Sequence, residues 1–482
     1  MSRSSSNGVT VTVIEGDGIG PEVVRGSLAA VEATGVALDW EFAEAGGRAF
    51  ERGVVSGVPT ETLESIDRNR VVLKGPLATP IGEGGKSANV TLRKMFETFA
   101  NIRPARELPG IPSPFAGRGI DLVIVRENVE DLYAGIEHMQ TPNVAQCLKL
   151  VSRLGSTRVA HAALALAHAE GRERVTVATK ANIMKLTEGM FKREFELAAR
   201  DYPSIKTDHM LIDNCAHQMV LHPEQFDVIV TTNMNGDILS DLASGLVGGL
   251  GFAPSANIGY DVAIFEAVHG TAPDIAGQGK ANPTAMLLSA IMLLRHMSEF
   301  TAAESLEQAL FTTLQSGVHT SDVPGPSPVS TEGFIDAIIA NLGNSSGLPS
   351  RPHQALKLAE IHRKSIDSQP GSRAKVGVDV FIESEDPPAT VGSRLQDLVE
   401  DTSFSLQMVS NRGTQVWPAS QTTPSVVDHY RCRFILDESG RWTNDAVVDL
   451  LSRVGSVYRW MHVEKLEEHD GVATFTRAQG QN

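Results

Sequence analysis

Cysteine is scarce: the 482 residues hold three, Cys147, Cys215 and Cys432, far apart and with no CxxC pair. That excludes a disulfide framework and a zinc knuckle, and it fits a reducing cytoplasm. Positive charge is short too, with 42 Lys and Arg against 58 Asp and Glu and a net charge of −16. Sequence-independent binding to nucleic acid or to an anionic membrane rests on a basic excess, so neither is expected as a partner. A local arginine cluster can still hold a small anion. No run approaches the roughly 18 apolar residues that a membrane span needs. "MSRSSSNG" at the start lacks the apolar segment of a secretory signal, so a cytoplasmic protein is expected. What remains is an ordinary globular composition, 41% apolar and 21% charged, long enough for two to four domains.

"VTVIEGDGIGPEVVRGSLAAVEATG" reads as a buried strand, a glycine-rich turn and an amphipathic helix opening near Pro21. "RVVLKGPLATP", "DLVIVREN", "RVTVATKAN", "HMLIDNC" and "DVIVTTNMNGD" are β-branched runs that end in polar residues and a turn. With helical stretches between most of them, they predict an α/β protein with a largely parallel sheet. Chemistry in such sheets collects beyond the carboxyl ends of strands, which nominates Arg126, Lys180, Asp213 and Asp237. Residues 344–373 are polar and breaker-rich and read as a linker. Beyond them the order strand, helix, strand, strand, helix, strand predicts a separate ferredoxin-like βαββαβ domain over 374–482, for which an assembly role is expected ahead of a regulatory one.

Several segments carry candidate chemistry. "GDGIGP" spaces its glycines G-x-G-x-G rather than G-x-G-x-x-G, and no acid ends a second strand at the required distance, so it is not a Rossmann fingerprint. In "KSANVTLRKMFETFANIRPAR", Arg93 and Arg103 flank a helix, Ser87 and Asn89 stand just ahead of it, and Arg126 ends a strand downstream. Single arginines are ordinarily solvated; three near strand ends with a Ser and an Asn suit several carboxylates, because the guanidinium fork binds carboxylate bidentately. "NMNGDILSD" places Asp237 and Asp241 at i, i+4 on one helix face. These acids either favour the helix dipole or hold a hard divalent cation, with Asp213 as a third carboxylate. Tyr133, one of only five tyrosines, and Lys180 are plausible proton carriers.

"GDGIGP", "SANVTLR", "IRPAR", "RENVEDLYAG", "TKANIMK", "NMNGDILSD" and "HGTAP" together resemble the β-decarboxylating dehydrogenase family, which holds isocitrate, isopropylmalate and homoisocitrate dehydrogenases. The match runs from about residue 9 to 343. A longer bacterial subgroup of isocitrate dehydrogenases, of the kind found in Thermus, is similar over nearly the whole chain. The resemblance implies that family's α/β fold, with a large coenzyme-binding domain over 1–102 and 246–343 and a small domain with a dimer clasp over 103–245. Ser87, Asn89, Arg93, Arg103 and Arg126 would bind isocitrate. Asp237, Asp241 and, from the second subunit, Asp213 would bind Mg²⁺ or Mn²⁺. Tyr133, and Lys180 of the second subunit, would handle protons in a homodimer with shared sites. The implied reaction is oxidative decarboxylation of isocitrate to 2-oxoglutarate and CO₂, a step of the tricarboxylic acid cycle. Ser87 and Asn89 favour isocitrate over isopropylmalate, with an isopropylmalate or homoisocitrate dehydrogenase as the alternative, and the full set of candidate residues argues against a non-catalytic regulatory subunit.

The resemblance also implies that Thr79, His269, Gly270, Thr271, Ala272, Pro273, Asp274, Ile275 and Asn282 cradle the coenzyme. NADP-dependent members read Lys-Tyr where this chain reads Asp274-Ile275. A 2′-phosphate about 4 Å from Asp274 would cost on the order of 4 kcal/mol at an effective dielectric near 20, whereas a ribose diol can donate to the acid. "HTSDVPGPSPVSTEGF" offers no arginine for the phosphate. NAD is therefore the expected coenzyme, with NADP the alternative.

Overall fold

The computed structural model describes residues 9–78, 87–325, 327–349, 353–362, 371–418, 424–438 and 440–480. The chain divides into two compact units, one drawn from Met1–Ala134 and Lys149–Ile366, the other from Gly135–Leu148 and Asp367–Asn482. The strands in chain order are β1 (Val9–Ile14), β2 (Leu38–Ala43), β3 (Val71–Lys74), β4 (Ala100–Arg106), β5 (Asp121–Glu127), β6 (Glu137–Thr141), β7 (Val144–Cys147), β8 (Arg174–Thr179), β9 (Lys206–Leu211), β10 (Val228–Thr231), β11 (Pro254–Ile258) and β12 (Ala263–Ala267). Then follow β13 (Arg373–Glu383), β14 (Phe404–Asn411), β15 (Thr414–Trp417), β16 (His429–Leu436), β17 (Arg459–His469) and β18 (Val472–Ala473).

The first unit is built on a ten-stranded sheet ordered β2-β1-β3-β12-β11-β4-β5-β10-β8-β9. Six of its nine pairings are parallel, as the alternating pattern predicts. The three antiparallel ones, β12–β11, β11–β4 and β4–β5, lie at its centre. Neither β4 nor β11 has the apolar run expected of a buried strand: β4 carries Asn101 and Arg103, and β11 carries Ser255 and Asn257. Their polar side chains pair with each other across the sheet, which satisfies the groups that mask the pattern. The helix Thr284–His296 is apolar nearly all round and buries Ala285, Met286, Leu287, Ala290, Ile291, Leu293 and Leu294. Such a helix belongs inside a layered core, where each large side chain contributes about 1.5–3 kcal/mol relative to exposure.

The second unit holds an antiparallel sheet in the order β15-β14-β16-β13-β17-β18, with helices Pro388–Val399 and Asn444–Gly455. Its four central strands and two helices give the expected βαββαβ order; β15 and β18 are short edge additions. Arg433 of β16 stands opposite Asp379 of β13 and grips it through two bonds of 2.7 Å. This closes a buried charge pair on the face of the sheet opposite to the apolar core of Val378, Val380, Phe434 and Leu450. The β6–β7 hairpin belongs to the same unit: Thr141 and Asn143 each donate to the Asp428 carboxylate at 3.0 Å. Among the described residues no helix is long and apolar enough to cross a membrane, and all three cysteines are free.

Leu294→Ala, in the fully buried helix, is expected to lower unfolding free energy by about 2–5 kcal/mol. Val55→Ala, at a site 79% exposed, should change it by less than about 0.5 kcal/mol. Urea denaturation of the two variants side by side checks the pair.

Candidate active site

The centre of the site follows from strand register. Asn101 of β4 stands directly opposite Arg126 of β5, so Arg103, two residues along β4, shares their face of the sheet. A one-residue slip of either strand would turn its arginine to the other face. Arg103 therefore lies within a strand, and it is held on three sides. Its Nε donates to Asn101 Oδ1 at 2.6 Å, and its Nη1 to Ser240 Oγ at 2.7 Å and Asp237 Oδ1 at 3.2 Å. Arg126 is buried to 1% exposure. Its Nε and Nη2 donate to Asn233 Oδ1 at 2.9 and 2.7 Å, and its Nη1 donates to Asp237 in a short contact.

The helix Asn233–Leu246 lies over that face and brings the acids. Asp237 and Asp241 fall in its second and third turns, and no acid occupies the first; dipole stabilisation therefore does not account for them. Close approach requires Gly236: a Cβ there would sit 2.6 Å from Arg126 Cβ and Cγ. Tyr133 completes the cluster, donating from its hydroxyl to Asp237 Oδ2 at 2.6 Å, with the Arg126 guanidinium 4.9 Å from its ring centroid. Arg93, at i+4 from Asn89 on the helix Ala88–Met95, donates from Nη2 to Glu266 Oε1 at 3.1 Å. Arg93 Nε and Asn89 Oδ1 are buried with no hydrogen-bond partner. Buried polar atoms are almost always satisfied, so this pair marks where a polar ligand fits.

The electrostatics show a site overloaded with cations. Burial, then Arg103 and Arg93, push Arg126 down to about 10. Burial works against ionisation of Asp237, but Arg126, the Tyr133 hydroxyl, Arg103 and Arg93 outweigh it and hold the carboxyl below the usual range. Asp241, 3.8 Å from Arg103, is raised by burial and by Asp237. Tyr133 is raised by burial and by its bond to Asp237, which keeps its proton on.

Lys180 and Asp213 stand apart from this cluster. Lys180 follows β8, Asp213 lies in the helix after β9, and their side chains bond to each other at 2.7 Å, which holds the Asp213 carboxyl below its ordinary value. β9 is two strands from β10, the strand that leads into the Asp237 helix, or about 10 Å at ordinary strand spacing. Among the described residues no group of three acids, histidines or cysteines is placed to hold a metal ion. Asp237 and Asp241 offer two hard oxygen ligands and lack the third.

The segment after β12 carries the residues expected to hold the coenzyme. His269 Nδ1 lies 3.0 Å from Gly270 O, while its Nε2 is buried without a partner; burial lowers its pKa. Ala272 takes a left-handed φ of 37° and leads into the turn Pro273–Ile275. The "GDGIGP" turn packs on this segment: Ile19 N donates to Thr271 O at 2.9 Å, and a Cβ on Gly18 would lie 1.9 Å from that oxygen. Asp17 accepts from Gly47 N and Ala78 N at 2.9 and 2.7 Å, fixing the loop that leads to Thr79, which lies outside the described residues. Asn282 donates to Asp322 at 2.9 Å. Sequence reasoning missed Asn101, Asn233, Ser240, Asn257 and Glu266. The one available signal was Glu266, an acid inside the apolar strand "AIFEA".

The first unit is thus a mixed ten-stranded sheet with two arginines on its central antiparallel strands and two aspartates on the helix above them. The chain belongs to the isocitrate/isopropylmalate dehydrogenase family, whose model matches residues 10–338. Residues 373–481 match the bacterial isocitrate dehydrogenase C-terminal domain. The chain is 57% identical to "Isocitrate dehydrogenase [NADP]" of Thermus thermophilus over 98% of its own length and 96% of that protein. It is 37% identical to the protein of the same name from Rickettsia conorii, over 98% and 99%. A crystal structure of the TT0538 protein of Thermus thermophilus superposes with a TM-score of 0.96 at 56% identity, covering 100% of this chain and 98% of that one.

These relatives overturn the expectation of NAD, since both full-length enzymes are named for NADP. The expectation rested on Asp274, Ile275 and the lack of an arginine over 319–334, and the loop shows why the first two carry little weight. Asp274 is exposed at a turn, where a like charge about 4 Å away costs nearer 1 kcal/mol than 4. Lys280 reaches the same turn, donating to Gln278 Oε1 at 3.0 Å while Gln278 donates to Asp274 O at 2.7 Å. Ile275 is explained by packing against the core.

Gly236→Ala is expected to destabilise by about 1–3 kcal/mol because Arg126 must give way. Gly245→Ala on the same helix, with nothing within 4 Å, should stabilise by roughly 0.5–1 kcal/mol. Chemical denaturation of both variants reads the contrast.

Proposed function

We propose that the protein is an NADP-dependent isocitrate dehydrogenase, converting isocitrate to 2-oxoglutarate and CO₂ with Mg²⁺ or Mn²⁺. The observation that carries this reading is that Arg103 and Arg126 both bond Asp237 while Arg93, anchored on Glu266, has its Nε and the Asn89 Oδ1 left unpaired. Three arginines suit a substrate with several carboxylates, and Ser87 and Asn89 supply polar contacts where isopropylmalate would need an apolar wall. His269, Gly270, Thr271, Ala272, Pro273 and Asn282 would hold the coenzyme, with the orphaned His269 Nε2 open to an adenine edge.

Asp237 and Asp241 would hold the cation, with Asp213 supplied by a second copy of the chain. When bound, the cation supplies Lewis-acid polarisation and the nicotinamide accepts a hydride. The chain's own groups do the rest. The arginines bind and orient the carboxylates before reaction, so little reorganisation remains. Lys180 of the second copy takes the hydroxyl proton as the C–H bond gives up its hydride. The bond to the departing carboxylate then breaks to release CO₂, and Tyr133 delivers its phenolic proton to the carbon left behind. The pairing of Lys180 with Asp213 in one chain, and not with Asp237, supports a site completed across a homodimer.

Turnover in the presence of Mn²⁺ should be found with isocitrate and should be at least about tenfold weaker, in kcat/KM, with 3-isopropylmalate. NADP should exceed NAD by about tenfold or more in kcat/KM, and Asp274→Ala should move that ratio by less than about threefold. A spectrophotometric assay of coenzyme reduction measures all of these; equal use of isopropylmalate, or a preference for NAD, counts against the reading. Lys180→Ala and Asp237→Asn should each be inactive alone. Co-expressed at equal levels they should regain about a quarter of wild-type activity, because each mixed dimer then keeps one intact site. No recovery would place each site within a single chain.

A further inference from the structure

Charged side chains are rarely buried in the middle of a sheet, yet a polar row crosses five strands beneath the arginines. Register puts Lys74 of β3 beside Glu266 of β12, Glu266 opposite Ser255 of β11, Asn257 opposite Asn101 of β4, and Asn101 opposite Arg126 of β5. Cross-strand partners and i, i+2 neighbours share a face, so these side chains form one continuous line. All of them are buried, with Lys74 at 2% and Glu266 at 6% exposure.

The bonds along the row all converge on Glu266. Glu266 Oε2 accepts from Lys74 Nζ at 2.5 Å. Its Oε1 accepts from Arg93 Nη2 at 3.1 Å and from Asn257 Nδ2 at 2.8 Å. Asn257 Oδ1 accepts from Asn101 Nδ2 at 2.7 Å, and Asn101 Oδ1 accepts from Arg103 Nε at 2.6 Å. The chain of donors and acceptors thus starts at one carboxylate and ends at the inner edge of Arg103, touching Arg93 on the way.

We propose that Glu266 is the positioning residue of the substrate-binding arginines: it anchors Arg93 directly, orients Arg103 through Asn257 and Asn101, and is balanced by Lys74. Two physical consequences follow. Glu266 anchors Arg93 by a single terminal nitrogen and leaves Nε free for the ligand. It also offsets the mutual repulsion of Arg93 and Arg103, which on its own would drive the two guanidinium groups apart. The proposal rests on the reading of these arginines as the isocitrate site.

Glu266→Gln keeps the shape and removes the charge. KM for isocitrate is expected to rise about tenfold or more. KM for NADP and kcat should each change by less than about threefold, a split that a purely structural role would not produce. Glu266→Asp, which keeps the charge, should recover part of the loss. If Glu266→Gln does not fold, because Lys74 is left buried and unpaired, the double variant Lys74→Met/Glu266→Gln removes both charges. It should melt near wild type and still show the raised KM, since Arg93 has no anchor. A double variant with wild-type KM for isocitrate overturns the proposal. So does a Glu266→Gln protein whose two KM values rise together or whose only change is a lower Tm. A wild-type enzyme without isocitrate turnover removes the underlying reading, and this proposal with it.

Discussion

Buried guanidinium groups repel one another, and the architecture of the first unit resolves that repulsion with interleaved carboxylates and amides. Arg93, Arg103 and Arg126 share Asp237, Asp241 and Glu266; Asn101, Asn233 and Ser240 take up further donors, and Arg93 Nε stays open. Because these donors are fixed before any ligand arrives, a polyanion meets a cleft whose charges are already oriented. Asp237 accepts from two arginines and a tyrosine, and any ligand carboxylate competes with it for the same donors.

The central antiparallel strands are what make this possible. A fully parallel sheet would fill its centre with apolar runs, since helices cover both of its faces. Inserting β11 and β4 lets polar side chains pair across the sheet and carries a line of hydrogen bonds from Lys74 to Arg103. Over that line lies a helix whose glycine admits the Arg126 stem. Sheet register, helix approach and charge balance therefore constrain one another, and a change in any one reaches the other two.

Coenzyme choice shows the limit of reasoning from a single residue. The electrostatic penalty assigned to Asp274 scales inversely with the local dielectric, and a sequence does not carry the dielectric. On an exposed turn with Lys280 close by, the same carboxylate has far less influence. Legibility elsewhere followed a similar rule. Asp237 with Asp241, Tyr133 and the three arginines stood out because charged or proton-bearing groups near strand ends are informative wherever they point. Glu266 and the amides beneath them were hidden, because a buried polar residue is intelligible only beside its partner.

By itself the sequence determined the α/β pattern, the separate βαββαβ unit, the acidic balance and the residue types able to grip a polyanion. These depend on local periodicity and side-chain chemistry, which neighbouring residues along the chain decide. Tertiary structure alone decided that Arg103 and Arg126 face the same way, that Lys180 bonds Asp213 and not Asp237, and that Asp274 lies in the open. Each of those depends on distances between residues remote in sequence, and on how much water remains between them.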